Sequence, residues 1–111
     1  MKVGIDMEDI ARMNGKLLDK IATENEKKYV KSFKEQNSHI ASLWCAKEAA
    51  VKILGTDISF LDVELLHEES GKPFLKLHGK AEQRRKELKL KEFDVSISHT
   101  SDKAIAIVIA N

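Results

Sequence analysis

The stretch HIASLWCAKEAAVKILG, His39 to Gly55, reads as one helix. Ile40, Leu43, Ala46, Ala50, Ile53 and Leu54 recur at helical spacing as an apolar stripe, and Gly55 stands where a helix commonly stops. Within it Trp44, Glu48 and Lys52 fall four apart, on one row of the helix surface, with Lys47 adjacent. An intrahelical Glu–Lys pair at that spacing contributes only about 0.3–0.5 kcal/mol, and a plain ion-pair face is one reading of the row. Its surroundings suggest a site: Cys45, Ala46, Ala49 and Ala50 are small and let another backbone or a ligand come close.

The segments around this helix alternate strand and helix signals. Lys2 to Glu8 has period two, with Val3, Ile5 and Met7 on one side and Gly4, Asp6 and Glu8 on the other, as in a half-buried strand whose apolar row is core. Ile10, Met13, Leu17, Leu18 and Ile21 predict a helix from about Asp9 to Ile21, and Thr23 with Glu26 forms a capping box for a second helix through Phe33. Glu35 to Ser38 is a polar break. Val63–Leu66 and Phe74–His78 predict short strands joined through Ser70–Pro73, and Gly79 opens a charged helix ending near Lys89. Phe93–Ser98 and Lys103–Ala110 predict a hairpin around His99–Asp102. The last strand, AIAIVIA, is apolar on both faces, so either a helix layer covers one face and the sheet the other or a second subunit does, and subunit contact is expected to contribute at least part of the burial.

Composition narrows the functional classes. The 111 residues suit one domain, residues 1–111, with 42% hydrophobic and 33% charged residues, as in an ordinary globular protein. A net charge of +1 gives no global attraction for nucleic acid or an anionic membrane. The basic run Lys80–Lys91 is interleaved with Glu82 and Glu87 and lacks aromatic residues for base stacking, so it reads as a solvated helix face. A lone cysteine, Cys45, a charged N-terminus and no apolar run near the roughly 20 residues of a membrane span together predict a cytoplasmic protein.

Several residues could carry chemistry. Asp6 sits in a strand that otherwise reads as core, and a buried carboxylate needs a partner. That partner is either Arg12 or a lysine, or a divalent cation shared with Glu48 and completed by phosphate oxygens and water. His99 and Thr100 close a strand at a turn whose free N–H groups can meet phosphate, or are simply solvated. His39, His67 and His78 have no metal-ligand spacing and read as structural or surface residues. Lys16, Lys20, Lys27 and Lys28 gather near Arg12 and could face an acidic protein partner.

Three segments in order, Gly4-Ile5-Asp6 with an arginine six residues after the aspartate, then W-x-A-K-E-A-x-x-K from Trp44 to Lys52, then Gly71-Lys72-Pro73 and V-S-I-S-H-T ending at Thr100, resemble the holo-(acyl carrier protein) synthase family. The resemblance extends over most of the chain, with a poor match from about Met13 to Ser42. It implies an α+β fold, a small antiparallel sheet packed with helices, assembled as a trimer with active sites between subunits. It implies a magnesium-dependent enzyme of fatty acid biosynthesis that moves the 4′-phosphopantetheine arm of coenzyme A onto a serine of apo-acyl carrier protein, releasing 3′,5′-ADP.

By the same resemblance Asp6 and Glu48 are the metal ligands, with Glu48 also orienting or deprotonating the serine hydroxyl through bound water. Lys52 neutralises the phosphates and protonates the departing ADP, and Lys47 is a weaker candidate for nucleotide contact. Gly71, Lys72, Pro73, His99 and Thr100 border the nucleotide, and Arg12, helped by Lys16 and Lys20, receives the carrier protein. The chain departs from the family at Leu43 and Trp44, where many members carry arginine and phenylalanine. Two other readings stand beside this one. One is a non-catalytic module that binds coenzyme A or a carrier protein, and the other is an oligomerisation domain whose Glu–Lys row is only an ion-pair face.

Overall fold

The computed structural model describes residues 1–111. Its backbone is α+β: β1 (Lys2–Asp9), a 3-10 turn (Ile10–Arg12), α1 (Gly15–Ile21), α2 (Glu24–Lys31), α3 (Asn37–Leu54), a second 3-10 turn (Phe60–Asp62), β2 (Val63–His67), β3 (Pro73–Leu77), α4 (Gly79–Glu87), β4 (Phe93–His99) and β5 (Lys103–Ala110). The sheets are antiparallel, one of order β1-β5-β4 and the other the β2-β3 hairpin. Helix α3 lies against the three-stranded sheet, with Cys45, Ala46, Ala49 and Ala50 buried against Ala104, Ala106, Val108 and Ala110.

Small side chains on both layers bring helix and sheet unusually close. A Cβ added at Gly4 would lie 1.9 Å from the Ala49 carbonyl oxygen, so only glycine fits at this crossing. That contact sets the orientation of β1 and corrects the sequence expectation for its faces. Gly4, Asp6 and Glu8 face α3, while Val3, Ile5 and Met7 point away and are 62%, 51% and 55% exposed. In the register, Val3 lies opposite Ile109, Ile5 opposite Ile107 and Met7 opposite Ile105, so the outer face of the sheet carries an apolar ladder that nothing in the chain covers.

Local signals account for most helix ends. The Thr23 side chain accepts from the Glu26 N–H while Glu26 accepts from the Thr23 N–H, the reciprocal capping box read in the sequence. Gly55, at φ 123°, ends α3. The predicted helix from Asp9 to Ile21 is instead broken, because the Asn14 side chain accepts from the Leu17 N–H at 2.9 Å and starts a new helix there. Helix α3 begins two residues earlier than His39, where Glu35 accepts from the Ser38 N–H at 3.0 Å. The charged helix ends at Glu87, before Lys89 at φ 59°.

Gly4→Ala should be the most damaging one-carbon change in the chain. Overpacking costs about 1–3 kcal/mol or more, so the thermal unfolding midpoint should fall by about 5–15 °C. Differential scanning calorimetry of the variant checks this, and a midpoint within about 2 °C of wild type would contradict it.

Candidate active site

The alternation of β1 brings Asp6 under α3. Its side chain is 13% exposed; Oδ1 lies 3.5 Å from Lys52 Nζ, and Oδ2 is buried with no hydrogen-bond partner. Lys52 Nζ also donates to the Ile5 carbonyl oxygen at 2.7 Å, which holds the ammonium over the strand beside Asp6. On the other flank of Asp6 is the buried Cys45 thiol, pushed up to about 12 by burial first and then by the Asp6 and Glu8 carboxylates. A thiol so protected stays protonated and is no nucleophile.

Glu48 is three residues after Cys45 and four before Lys52, and both of those flank Asp6, so its half-buried carboxylate stands on the same side of the helix. It takes part in no ion pair or hydrogen bond with the rest of the protein, although Lys52 is the obvious partner at that spacing. Lys52 has turned to Asp6 and the Ile5 carbonyl instead. The simple intrahelical salt bridge is therefore not formed. What remains is a partnerless Asp6 oxygen, a partnerless glutamate and one ammonium.

The buried Asp6 oxygen suits a divalent cation, since an unpaired buried carboxylate oxygen is costly and a cation satisfies it, and the half-buried Glu48 carboxylate has no protein partner to compete. No group of three or more histidine, cysteine, aspartate or glutamate side chains is placed to hold a metal ion. A cation held by Asp6 and Glu48 would thus draw its other ligands from water and substrate oxygens, the habit of magnesium with phosphates.

The remaining expected residues fall into three places. Arg12, Lys16 and Lys20 line one open groove with Glu8, Met13, Asn14, Leu17 and Trp44, and Arg12 lies 3.9 Å from Glu8. His99 ends β4 across Ala104 from Glu8, on the α3 side of the sheet, and Thr100 is exposed with its hydroxyl engaged in the β4–β5 turn at Asp102. Gly71, Lys72 and Pro73 form the β2–β3 turn, on the other sheet from Asp6. Lys47 is corrected outright. It is wholly buried, with Nζ against Glu26 and the carbonyls of Ile21 and Phe60, so it presents nothing to a nucleotide.

Two features escaped the sequence reading. The period of two places Glu8 on the Asp6 face but gives it no part in the site, where it lines the groove with Arg12. The Trp44 indole N–H is buried without a partner, which no sequence pattern reveals. The other histidines are structural: His67 stacks on Tyr29 at 3.9 Å, His39 on Phe33 at 3.7 Å, and His78 meets Glu64 at 2.9 Å.

A buried carboxylate oxygen without a partner, a glutamate without a protein partner, a neighbouring ammonium and a basic groove make this face the candidate active site. The profile of the 4′-phosphopantetheinyl transferase superfamily matches residues 2–108, and the chain belongs to that superfamily. It is 39% identical over 117 residues to the holo-(acyl-carrier-protein) synthase of Caldanaerobacter subterraneus subsp. tengcongensis, covering 97% of this chain and 92% of that one. Among solved structures it is similar to the Helicobacter pylori synthase in complex with coenzyme A, with a TM-score of 0.85 and 27% identity over 99% of this chain and 100% of that one. It is also similar to the Bacillus anthracis synthase in complex with CoA (3′,5′-ADP), with a TM-score of 0.80 and 30% identity over 97% and 93% of the two chains.

Burial lowers the pKa of His39, with Glu35 opposing and His99 reinforcing, and burial followed by the charge of His39 lowers that of His67, both from 6.5. A base with a depressed folded pKa takes its proton first in the unfolded chain. Its contribution is therefore full above about pH 6.5 and is lost as pH falls from there through the folded values. Urea unfolding at about pH 7.5 and pH 5.5 should show that loss, and a His39→Phe/His67→Phe variant should show a smaller one. An equal loss in the variant would contradict the assignment.

Proposed function

We propose that this protein transfers the 4′-phosphopantetheine group from coenzyme A to a serine of apo-acyl carrier protein, releasing 3′,5′-ADP, in support of fatty acid biosynthesis. The observation that carries the reading is the buried, partnerless Asp6 Oδ2 beside Lys52 and the Glu48 row, in a chain of this superfamily. We take residues 1–111 as one phosphopantetheinyl transferase domain.

Asp6 and Glu48 would hold magnesium, which would supply charge neutralisation to the phosphates of coenzyme A. The new bond joins the serine oxygen to the phosphorus that carries the pantetheine arm, and the bond from that phosphorus to the 3′,5′-ADP oxygen breaks. Such a displacement needs in-line positioning and neutralised charge more than covalent help. Glu48, which has no protein partner of its own, takes the serine proton through water. Lys52 lies beside Asp6 and, with 48% of its side chain exposed, can turn to the departing phosphate and protonate it.

Arg12, Lys16 and Lys20 sit together in a groove one helical turn from Glu48 at Trp44, a fitting seat for an acidic carrier protein. Gly71, Lys72, Pro73, His99 and Thr100 are assigned to the nucleotide. The first three lie on a different sheet from Asp6, an arrangement that suits a site completed by a neighbouring subunit. The uncovered ladder of Val3, Ile5, Met7, Ile107 and Ile109 is the surface such a homotrimer would bury. No helix is long and apolar enough to cross a membrane. We place the enzyme in the cytoplasm, with no nucleic-acid or membrane partner.

Intact-mass spectrometry of an apo-acyl carrier protein incubated with the enzyme, coenzyme A and magnesium tests the reading. The carrier should gain one phosphopantetheine, chelator should abolish the gain, and Glu48→Gln should slow it by about a hundredfold or more while leaving the unfolding midpoint near wild type. No gain across several carriers, with coenzyme A still bound despite chelator, would point instead to a non-catalytic binding module.

A further inference from the structure

Lys47 heads the fully buried side chains of the protein and has no part in the chemistry above. Its side chain is 0% exposed and that of its partner Glu26 is 1% exposed. The ammonium has three protons and three acceptors take them: Glu26 Oε1 at 2.6 Å, the Ile21 carbonyl oxygen at 2.8 Å and the Phe60 carbonyl oxygen at 2.8 Å. Glu26 in turn accepts from the Thr23 N–H and the Leu65 N–H, each at 2.7 Å. The end of α1, the start of α2, β2 and the turn before β2 are thus tied to α3 at one residue, and that residue immediately precedes Glu48.

Stability alone does not call for this arrangement, because a buried ion pair replaced by apolar residues of the same shape often leaves a fold as stable or more so. What the tether does fix is rotation. Adjacent helical residues are separated by about 100° around the axis, so setting the azimuth of residue 47 sets that of residue 48. The Gly4–Ala49 contact fixes how close α3 comes to β1, buried side chains pack the helix along its length, and the Lys47 bonds add a directional tether to that packing. At a side-chain radius of about 5–6 Å, a roll of about 20° moves a carboxylate about 2 Å, which is the whole length of a magnesium–oxygen bond. Glu48 has no protein partner that would resist such a roll.

We propose that Lys47 is a positioning residue for the transfer reaction: through its contacts with Glu26, Ile21 and Phe60 it locks the rotation of α3 and so aims Glu48 at the cation shared with Asp6. This role rests on the function proposed above and predicts a defect in metal affinity rather than in coenzyme A recognition.

The test uses Mn2+ as the probe, its binding read by electron paramagnetic resonance with coenzyme A present and no carrier protein, followed by steady-state transfer. Lys47→Met strands the Glu26 charge, so the informative variant is Lys47→Met/Glu26→Gln, which removes both charges and keeps one side-chain acceptor, for either the Thr23 or the Leu65 N–H. Leu90→Ala serves as the control for general destabilisation, since Leu90 is buried outside the main core cluster. The double variant should unfold cooperatively, bind Mn2+ at least tenfold more weakly and lose at least tenfold in kcat, with KM for coenzyme A at saturating metal within twofold of wild type. Leu90→Ala should leave Mn2+ affinity within twofold.

Wild-type Mn2+ affinity and kcat in the double variant, a change confined to KM for coenzyme A, or loss of cooperative unfolding would each overturn the positioning role. A wild-type protein that neither binds Mn2+ nor transfers would instead sink the proposed function itself.

Discussion

The contact on which the rest of the molecule depends is the approach of Gly4 to the Ala49 carbonyl, where even a methyl group would lie 1.9 Å from oxygen. Alanines on the facing surfaces of α3 and β5 make that approach possible. Its first consequence is that β1 turns its polar row inward, which carries Asp6 beneath the helix. Its second is that the apolar row, together with Ile107 and Ile109 of β5, is left facing outward. A strand that spends its apolar side chains on an outer face and buries a carboxylate is a poor solution for one chain alone. It becomes a good one when the carboxylate has a task and the outer face has a partner.

The electrostatics follow from the same geometry. A buried polar oxygen without a partner costs about 1–3 kcal/mol, and Asp6 Oδ2 is such an oxygen. Lys52 relieves it only in part, from 3.5 Å and with much of its own side chain in solvent. Elsewhere the chain satisfies buried charge completely. Glu64 shows this: burial pushes its carboxyl up, yet bonds from Thr23, His78 and Asn25 together bring it below the usual carboxylate range. The contrast between Glu64, saturated with donors, and Asp6 and Glu48, left open, is the physical basis for proposing the latter two as the functional carboxylates.

How much of this could be read in the sequence depended on the range of the interaction. The Thr23–Glu26 capping box and the Gly55 stop are local, and both stand where the sequence placed them. The break at Asn14 is local too, but apolar spacing from Ile10 to Leu17 runs across it, and a periodic pattern conceals a cap. Alternation in β1 correctly paired Gly4, Asp6 and Glu8 on one face. It could not say which face is covered, because that is decided by Ala49, far along the chain. Lys47 was misjudged for the same reason. A lysine in a charged helical motif reads as a surface group unless the reader knows that Glu26 and the Ile21 and Phe60 carbonyls close over it. Of the lysines that the sequence gathered near Arg12, Lys16 and Lys20 share its groove while Lys27 and Lys28 do not line it, and the buried Trp44 N–H had no sequence signal.

The claim at the centre is that Asp6 and Glu48 form one cation seat, built by the close crossing of β1 and α3. Isothermal titration of magnesium into the protein with coenzyme A present, compared between wild type and Asp6→Asn, addresses it most directly. Saturable binding in wild type, weakened about tenfold or more in the variant at an unchanged unfolding midpoint, is the predicted result. Equal magnesium affinity in the two proteins would contradict it.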